Sequence, residues 1–140
     1  MRRFKERSNW TLSSDDASFQ WESFLNVAED CFGRSEEEWL RTGVGRAYYA
    51  CFLVARDYER SANDDDRPKQ AHKEWWFFQK NCGRVGKQIY SLADRMKRTR
   101  RNADYEQKSL NWNKELERSI ADSRTIIQLV IGLKEKKPKD

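Results

Sequence analysis

Five of the seven side chains from Arg95 to Arg101 are cationic. At that density like charges repel across successive helical turns unless an anion or an acidic partner offsets them. The run ends a longer basic stretch. Residues 84–101 carry seven Lys/Arg against Asp94 alone, whereas residues 15–38 carry eight Asp/Glu against Arg34 alone. This polarity suits an anionic ligand at a face formed by Arg95, Lys97, Arg98 and Arg101, or a complementary acidic protein; an ordinary solvated face is the plain alternative. Within the run Arg100 stands apart. In the helical phase of Val85, Ile89, Leu92, Ala93 and Met96 it falls on the apolar stripe, while Arg98 and Arg101 fall off it. A guanidinium on a core-facing stripe requires a carboxylate, a backbone carbonyl or a phosphate, because a buried unpaired charge is expensive. Asp104 is four residues further on, and a simple i,i+4 ion pair is the structural alternative to a functional site.

Other chemistry is sparse. The chain has one histidine, His72, and three cysteines, Cys31, Cys51 and Cys82, widely spaced and without a CxxC pair. That set cannot assemble a Cys/His zinc site, and reduced, buried thiols are expected in place of a disulfide framework. Gly43-Val44-Gly45 lies inside a helical pattern and lacks the Gly-Lys-Ser/Thr ending of a phosphate-cradling loop. No metal and no cofactor is expected.

Hydrophobic periodicity supplies the elements that position these residues, and every one of them reads as helix. Ala17, Trp21, Phe24, Leu25, Ala28, Cys31 and Phe32 form one stripe after Ser13-Ser14-Asp15-Asp16, whose short oxygen-bearing side chains suit a helix cap. Ser35 followed by Glu38 reads as a capping box opening a second, long helix over residues 36–62. Its main stripe is Leu40, Val44, Ala47, Tyr48, Cys51, Val54, Ala55 and Tyr58, yet Tyr49, Ala50 and Leu53 make the reverse side apolar too. A doubly apolar helix is central or buries its second face in a partner. Tyr49 and Leu53 are therefore candidate dimer-interface residues. A short helix carrying Ala71, Trp75, Trp76 and Phe78 follows a break at Asn63–Pro68 and closes at Asn81-Cys82-Gly83. A fourth helix spans about 85–103, and a fifth carries Trp112, Leu116, Ile120, Ile127, Val130 and Ile131. The expected fold is an all-α, up-and-down bundle of four longer helices plus one short helix.

A chain of 140 residues suits one domain, here with its core at about 15–133 between basic N-terminal and C-terminal tails. Charged residues make up 36%, but 18 aromatic residues gathered on helix faces argue for a packed core over disorder. The basic start leads into no apolar segment, and the run from Ile126 to Leu133 is too short to span a bilayer. A cytoplasmic protein without membrane association is expected.

Arg46-Ala47-Tyr48-Tyr49-Ala50-Cys51-Phe52 and Arg100-Arg101-Asn102-Ala103-Asp104-Tyr105 together resemble the HEPN family, in the branch with R-A-Y-Y-A-x-F in one long helix and R-x-x-A-D-Y ending a later one. The order and spacing agree over about residues 17–131, and His72 sits where that branch often has a histidine. The resemblance implies a HEPN-like dimeric bundle of a prokaryotic toxin-antitoxin or defence system, directed at RNA and often working beside a small nucleotidyltransferase. It also implies metal-independent endoribonuclease chemistry for members with an Arg followed four to six residues later by His. Here the fifth and sixth positions after Arg100 are Tyr105 and Glu106, and those after Arg101 are Glu106 and Gln107.

Cleaving RNA through its own 2′-hydroxyl needs a base, an acid and a cation for the developing charge. Arg100 fits the cation and Asp104 the base, but a phenol such as Tyr105, with an ordinary pKa of about 10, is a poor acid. Arg100, Asp104 and Tyr105 are the candidate catalytic residues, and Arg95, Lys97, Arg98 and Arg101 the candidate RNA-binding residues. The sequence leaves nuclease activity undecided. The alternative reading is a non-catalytic helical subunit for protein-protein interaction.

Overall fold

The computed structural model describes residues 19–63 and 73–136. The cap expected at Ser13–Asp16, Ala17, residues 64–68 of the expected break, Ala71 and His72 lie outside the described residues, and Asn63, expected to open that break, is the last residue of the second helix. Within them all regular structure is helical. A 3-10 turn, Trp21–Ser23, leads into α1 (Phe24–Phe32), followed by α2 (Glu37–Asn63), α3 (Lys73–Asn81), α4 (Gly83–Tyr105) and α5 (Trp112–Glu135). The all-α expectation holds, with a different division of lengths. Among the described residues there are three long helices and two of nine residues, because regular α-helix begins only at Phe24.

The second helix starts within a residue of its expected position by other means than a capping box. Ser35 stands at φ 70, in the left-handed region, where a side chain cannot take the extended N-cap geometry. The amides of Trp39 and Leu40 turn to the Glu36 carbonyl, and Glu37 and Glu38 in the first turn complement the positive end of the helix dipole. At the other end of the chain, the Asn111 side chain accepts from the Lys114 amide at 3.2 Å and so caps α5.

Helix α2 is the centre of the molecule, packed against each of the other four helices and the 3-10 turn. Leu40, Val44, Ala47, Tyr48, Cys51 and Ala55 are buried from its main stripe, and Ala50 is buried from the reverse side. The glycine at 43 serves close approach. A Cβ there would lie 2.9 Å from both the Cys31 Cβ of α1 and a Leu116 methyl of α5. Helix α3 crosses α4 more closely still, since a Cβ on Gly86 would lie 1.9 Å from the Phe78 carbonyl oxygen.

Leu116, Ile120, Ile126, Ile127 and Val130 bring α5 into the same core, which Trp75 and Phe78 close from α3. Interhelical ion pairs tie the polar edges, Arg95 of α4 to Asp122 and Arg124 of α5 to Glu29 of α1. Cys31 and Cys51 are buried free thiols and Cys82 is half-buried. Among the described residues no helix is long and apolar enough to cross a membrane.

Candidate functional site

Position 100 lies on the core-facing side of α4, in phase with the buried Ile89, Ala93, Met96 and Ala103. The side chain of Arg100 retains 15% of its exposure and its guanidinium lies over two rings of α2, 5.4 Å from the centre of Tyr48 and 5.7 Å from that of Tyr49. Its Nη1 donates to Asp104 Oδ2 at 2.9 Å, while its Nε is buried with no hydrogen-bond partner. The two motif stretches, 54 residues apart at Arg46 and Arg100, thus meet through a stacked cation. Arg46 adds a second guanidinium, 5.8 Å from the same Tyr49 ring and 5.4 Å from Phe24 of α1.

The tyrosine pair divides into a buried member and a half-buried one. Tyr48 is fully buried, and its hydroxyl accepts from Trp75 Nε1 at 3.0 Å. Burial holds its phenol protonated far above the ordinary range, so it does not titrate at neutral pH. Tyr49 stands edge-on to Tyr48 and Phe52 and is half-buried, as is Leu53 one turn further on.

The end of α4 is held by a residue that sequence patterning did not single out. Arg41 of α2 points Nη1 at the carbonyl oxygens of Asn102 (3.2 Å), Ala103 (3.0 Å) and Glu106 (2.7 Å), and Nη2 at that of Lys108 (3.2 Å). Its Nε donates to Glu37, and its guanidinium lies 4.5 Å from the centre of the Trp112 ring. Carbonyls at a helix C-terminus have no partner within the helix, and a cation there also complements the dipole. One side chain therefore fixes the turn that carries Asp104 and Tyr105. The only local sign of Arg41 in the sequence is its i,i+4 spacing from Glu37.

The four candidate RNA-binding cations separate into two kinds. Arg95 makes a two-pronged pair with Asp122 of α5, Nε to Oδ2 at 3.0 Å and Nη2 to Oδ1 at 2.8 Å, and is thereby turned along the bundle edge. Arg98 is exposed and paired with Asp94. Lys97, half-buried, and Arg101, exposed, share one face four residues apart and have no acidic partner among the described residues. Tyr105 beside them is 73% exposed and Asp104 is also at the surface. The arrangement brings together Arg100, Asp104, Tyr48 and Tyr49, with Arg101 and Lys97 at the rim, and sets Arg95 apart.

Chemically, the cluster offers fixed guanidinium groups, an exposed carboxylate and a phenol locked in its protonated form. Among the described residues no group of three or more His, Cys, Asp or Glu side chains could hold a metal ion. Set against protein-family models, curated proteins and solved structures, the chain matches none of them.

Proposed function

We propose that this chain is a HEPN-like helical protein of a prokaryotic toxin-antitoxin or defence system that binds single-stranded RNA through the outer face and C-terminal end of α4. One observation carries the reading: Lys97 and Arg101 present two cations without acidic partners one turn apart, beside the stacked Arg100. Cations aligned along a helix match the spaced charges of a phosphate backbone, and their mutual repulsion is relieved when an anion binds. Arg98 joins them by exchanging Asp94 for a phosphate. Two such protomers pair through Tyr49 and Leu53, the half-buried residues on the second side of α2.

Arg100, with Asp104 and Tyr105, is the place where cleavage chemistry would occur, and its burial under two tyrosine rings favours a binding role over a catalytic one. A second reading is a non-catalytic subunit that docks an acidic protein; the Arg95–Asp122 and Arg98–Asp94 pairs neutralise two of the four cations and so shorten the track open to a phosphate backbone. Electrophoretic mobility shift with a labelled, unstructured RNA in low-salt buffer containing EDTA tests both. A shift that Lys97→Glu with Arg101→Glu abolishes supports RNA binding. Shortened RNA would establish metal-independent cleavage, and an unshifted probe would hand the case to the protein-docking reading.

A further inference from the structure

Arg46 is half-buried, and among the described residues it makes neither a hydrogen bond nor an ion pair; its guanidinium is held only by the rings of Phe24 and Tyr49. Three other arginines of the bundle have oxygen partners, Arg41 with four carbonyls and Glu37, Arg95 with Asp122 and Arg124 with Glu29, whereas the half-buried Arg60, like Arg100, has a buried Nε without one. A guanidinium presents five N–H donors in a planar fork, and those of Arg46, which is half-buried and has no fully buried unpartnered nitrogen, stay open to an acceptor from outside the chain. Ring stacking supplies attraction but no acceptor oxygen.

Arg100 reaches the same Tyr49 ring from α4, with one arm on Asp104 and with its Nε buried and unpartnered. Two arginines from different helices thus share one aromatic ring and have unfilled donor capacity. The charge balance suits a monoanion. Arg46 and Arg100 contribute two positive charges and Asp104 one negative, so the cluster carries one net positive charge. A phosphate monoanion brings it to neutrality, and its tetrahedral oxygens accept from two planar forks at once.

We infer that Arg46 and Arg100 form a two-guanidinium subsite for a single phosphate group over Tyr49, at the junction of α1, α2 and α4. The inference deepens the RNA-binding reading, on which it rests for the source of the phosphate, by adding a contact at Arg46 that the basic run of α4 does not contain. Tyr49 is the positioning residue, since its ring sets both cations.

The test uses the full chain labelled with 15N at arginine and follows the side-chain Nε–H resonances during titration with inorganic phosphate, matched in ionic strength with chloride. Phosphate is expected to shift the Arg46 and Arg100 signals saturably with one common affinity, and Arg46→Gln to remove the response at Arg100. A merely structural Arg46 would change the melting temperature of that variant and leave the phosphate response of Arg100 in place. Arg46→Lys, which keeps the charge and loses the fork, serves if the glutamine variant does not fold, and is expected to weaken phosphate binding about tenfold, one lost charge-assisted hydrogen bond.

Signals that move no further in phosphate than in chloride overturn the inference. RNA binding identifies the source: a salt slope reduced by about 0.7 in the Arg46 variant supports an RNA phosphodiester as occupant. An unchanged slope with a saturable phosphate response supports a free phosphate monoester instead. A phosphate response in a protein that binds no RNA supports the subsite and sinks the functional reading alone.

Discussion

Replacing Arg41 by alanine should loosen the end of α4 and lower the stability of the whole chain. The side chain is 19% exposed and faces four carbonyls, of which those of Asn102 and Ala103 are in part-buried hydrogen bonds and those of Glu106 and Lys108 in exposed ones. Water replaces the exposed pair at little cost, so the two part-buried bonds set the scale at about 1 kcal/mol each. Loss of the cation from the Trp112 face and from the helix C-terminus adds about 1 kcal/mol. The expected sum is about 3 kcal/mol, or about 9 °C in melting temperature for a chain of this size. Thermal unfolding followed by far-ultraviolet circular dichroism measures it, and hydrogen exchange should place the new fraying at residues 102–106. Arg41→Lys should recover less than half, because one ammonium cannot span all four oxygens. A loss under about 1 kcal/mol, or exchange that rises evenly along the chain, would refute the assignment of Arg41 as the cap of α4.

Gly86→Ala should destabilise by about 2–3 kcal/mol or more in denaturant titration, because the added methyl meets the Phe78 backbone and no flexible side chain can yield. Arg95→Ala should cost about 2 kcal/mol by leaving the nearly buried Asp122 without its partner; the 44% exposure of Arg95 keeps the figure below that of a fully buried pair, and the salt slope of RNA binding should not change. Stability should also fall at alkaline pH. Burial pushes the Cys51 thiol from 9.0 up to about 12, so above pH 9 the unfolded chain releases a proton that the folded chain keeps. Urea titrations should show a plateau below pH 9 and a decline of about 1 kcal/mol per pH unit above it, smaller in Cys51→Ala; a flat profile to pH 11 would contradict the buried thiol.

Much of this bundle is legible in the helical periodicity because each core face repeats within its own helix. Arg100 illustrates the strength of that signal: its phase with Ile89, Ala93 and Met96 places it against the core, and the side chain lies there, stacked on Tyr48 and Tyr49. The doubly apolar α2 is equally readable, since a helix that contacts all the others must bury more than one side. Local signals fail where geometry is set elsewhere. Ser35 and Glu38 have capping-box spacing, but Ser35 stands at a positive φ, outside the extended geometry of an N-cap.

Arg95 belongs to the basic run by sequence, and its partner Asp122 is 27 residues away on another helix, beyond the reach of any single-helix pattern. Arg41 is hidden for the same reason, with acceptors 61 to 67 residues away that are backbone carbonyls and leave no mark in residue type. Arg46 stands inside a motif whose tyrosines draw the attention, and only the packing of α1 and α4 around Tyr49 shows that two cations converge there.

The measurement that bears most directly on the account is the affinity of the purified chain for a short, unstructured single-stranded RNA across a salt series, read by fluorescence anisotropy. Engagement of Lys97, Arg98 and Arg101, with one further phosphate on Arg46 and Arg100, predicts log affinity falling linearly with log salt at a slope of about 2–3 per protomer. Loss of Arg98 and Arg101 together should lower that slope by about 1 to 1.5, whereas loss of Arg95 should leave it in place. Absence of RNA binding at low salt, or a slope that ignores Arg98 and Arg101 while following Arg95, would contradict the claim that α4 reads a phosphate backbone.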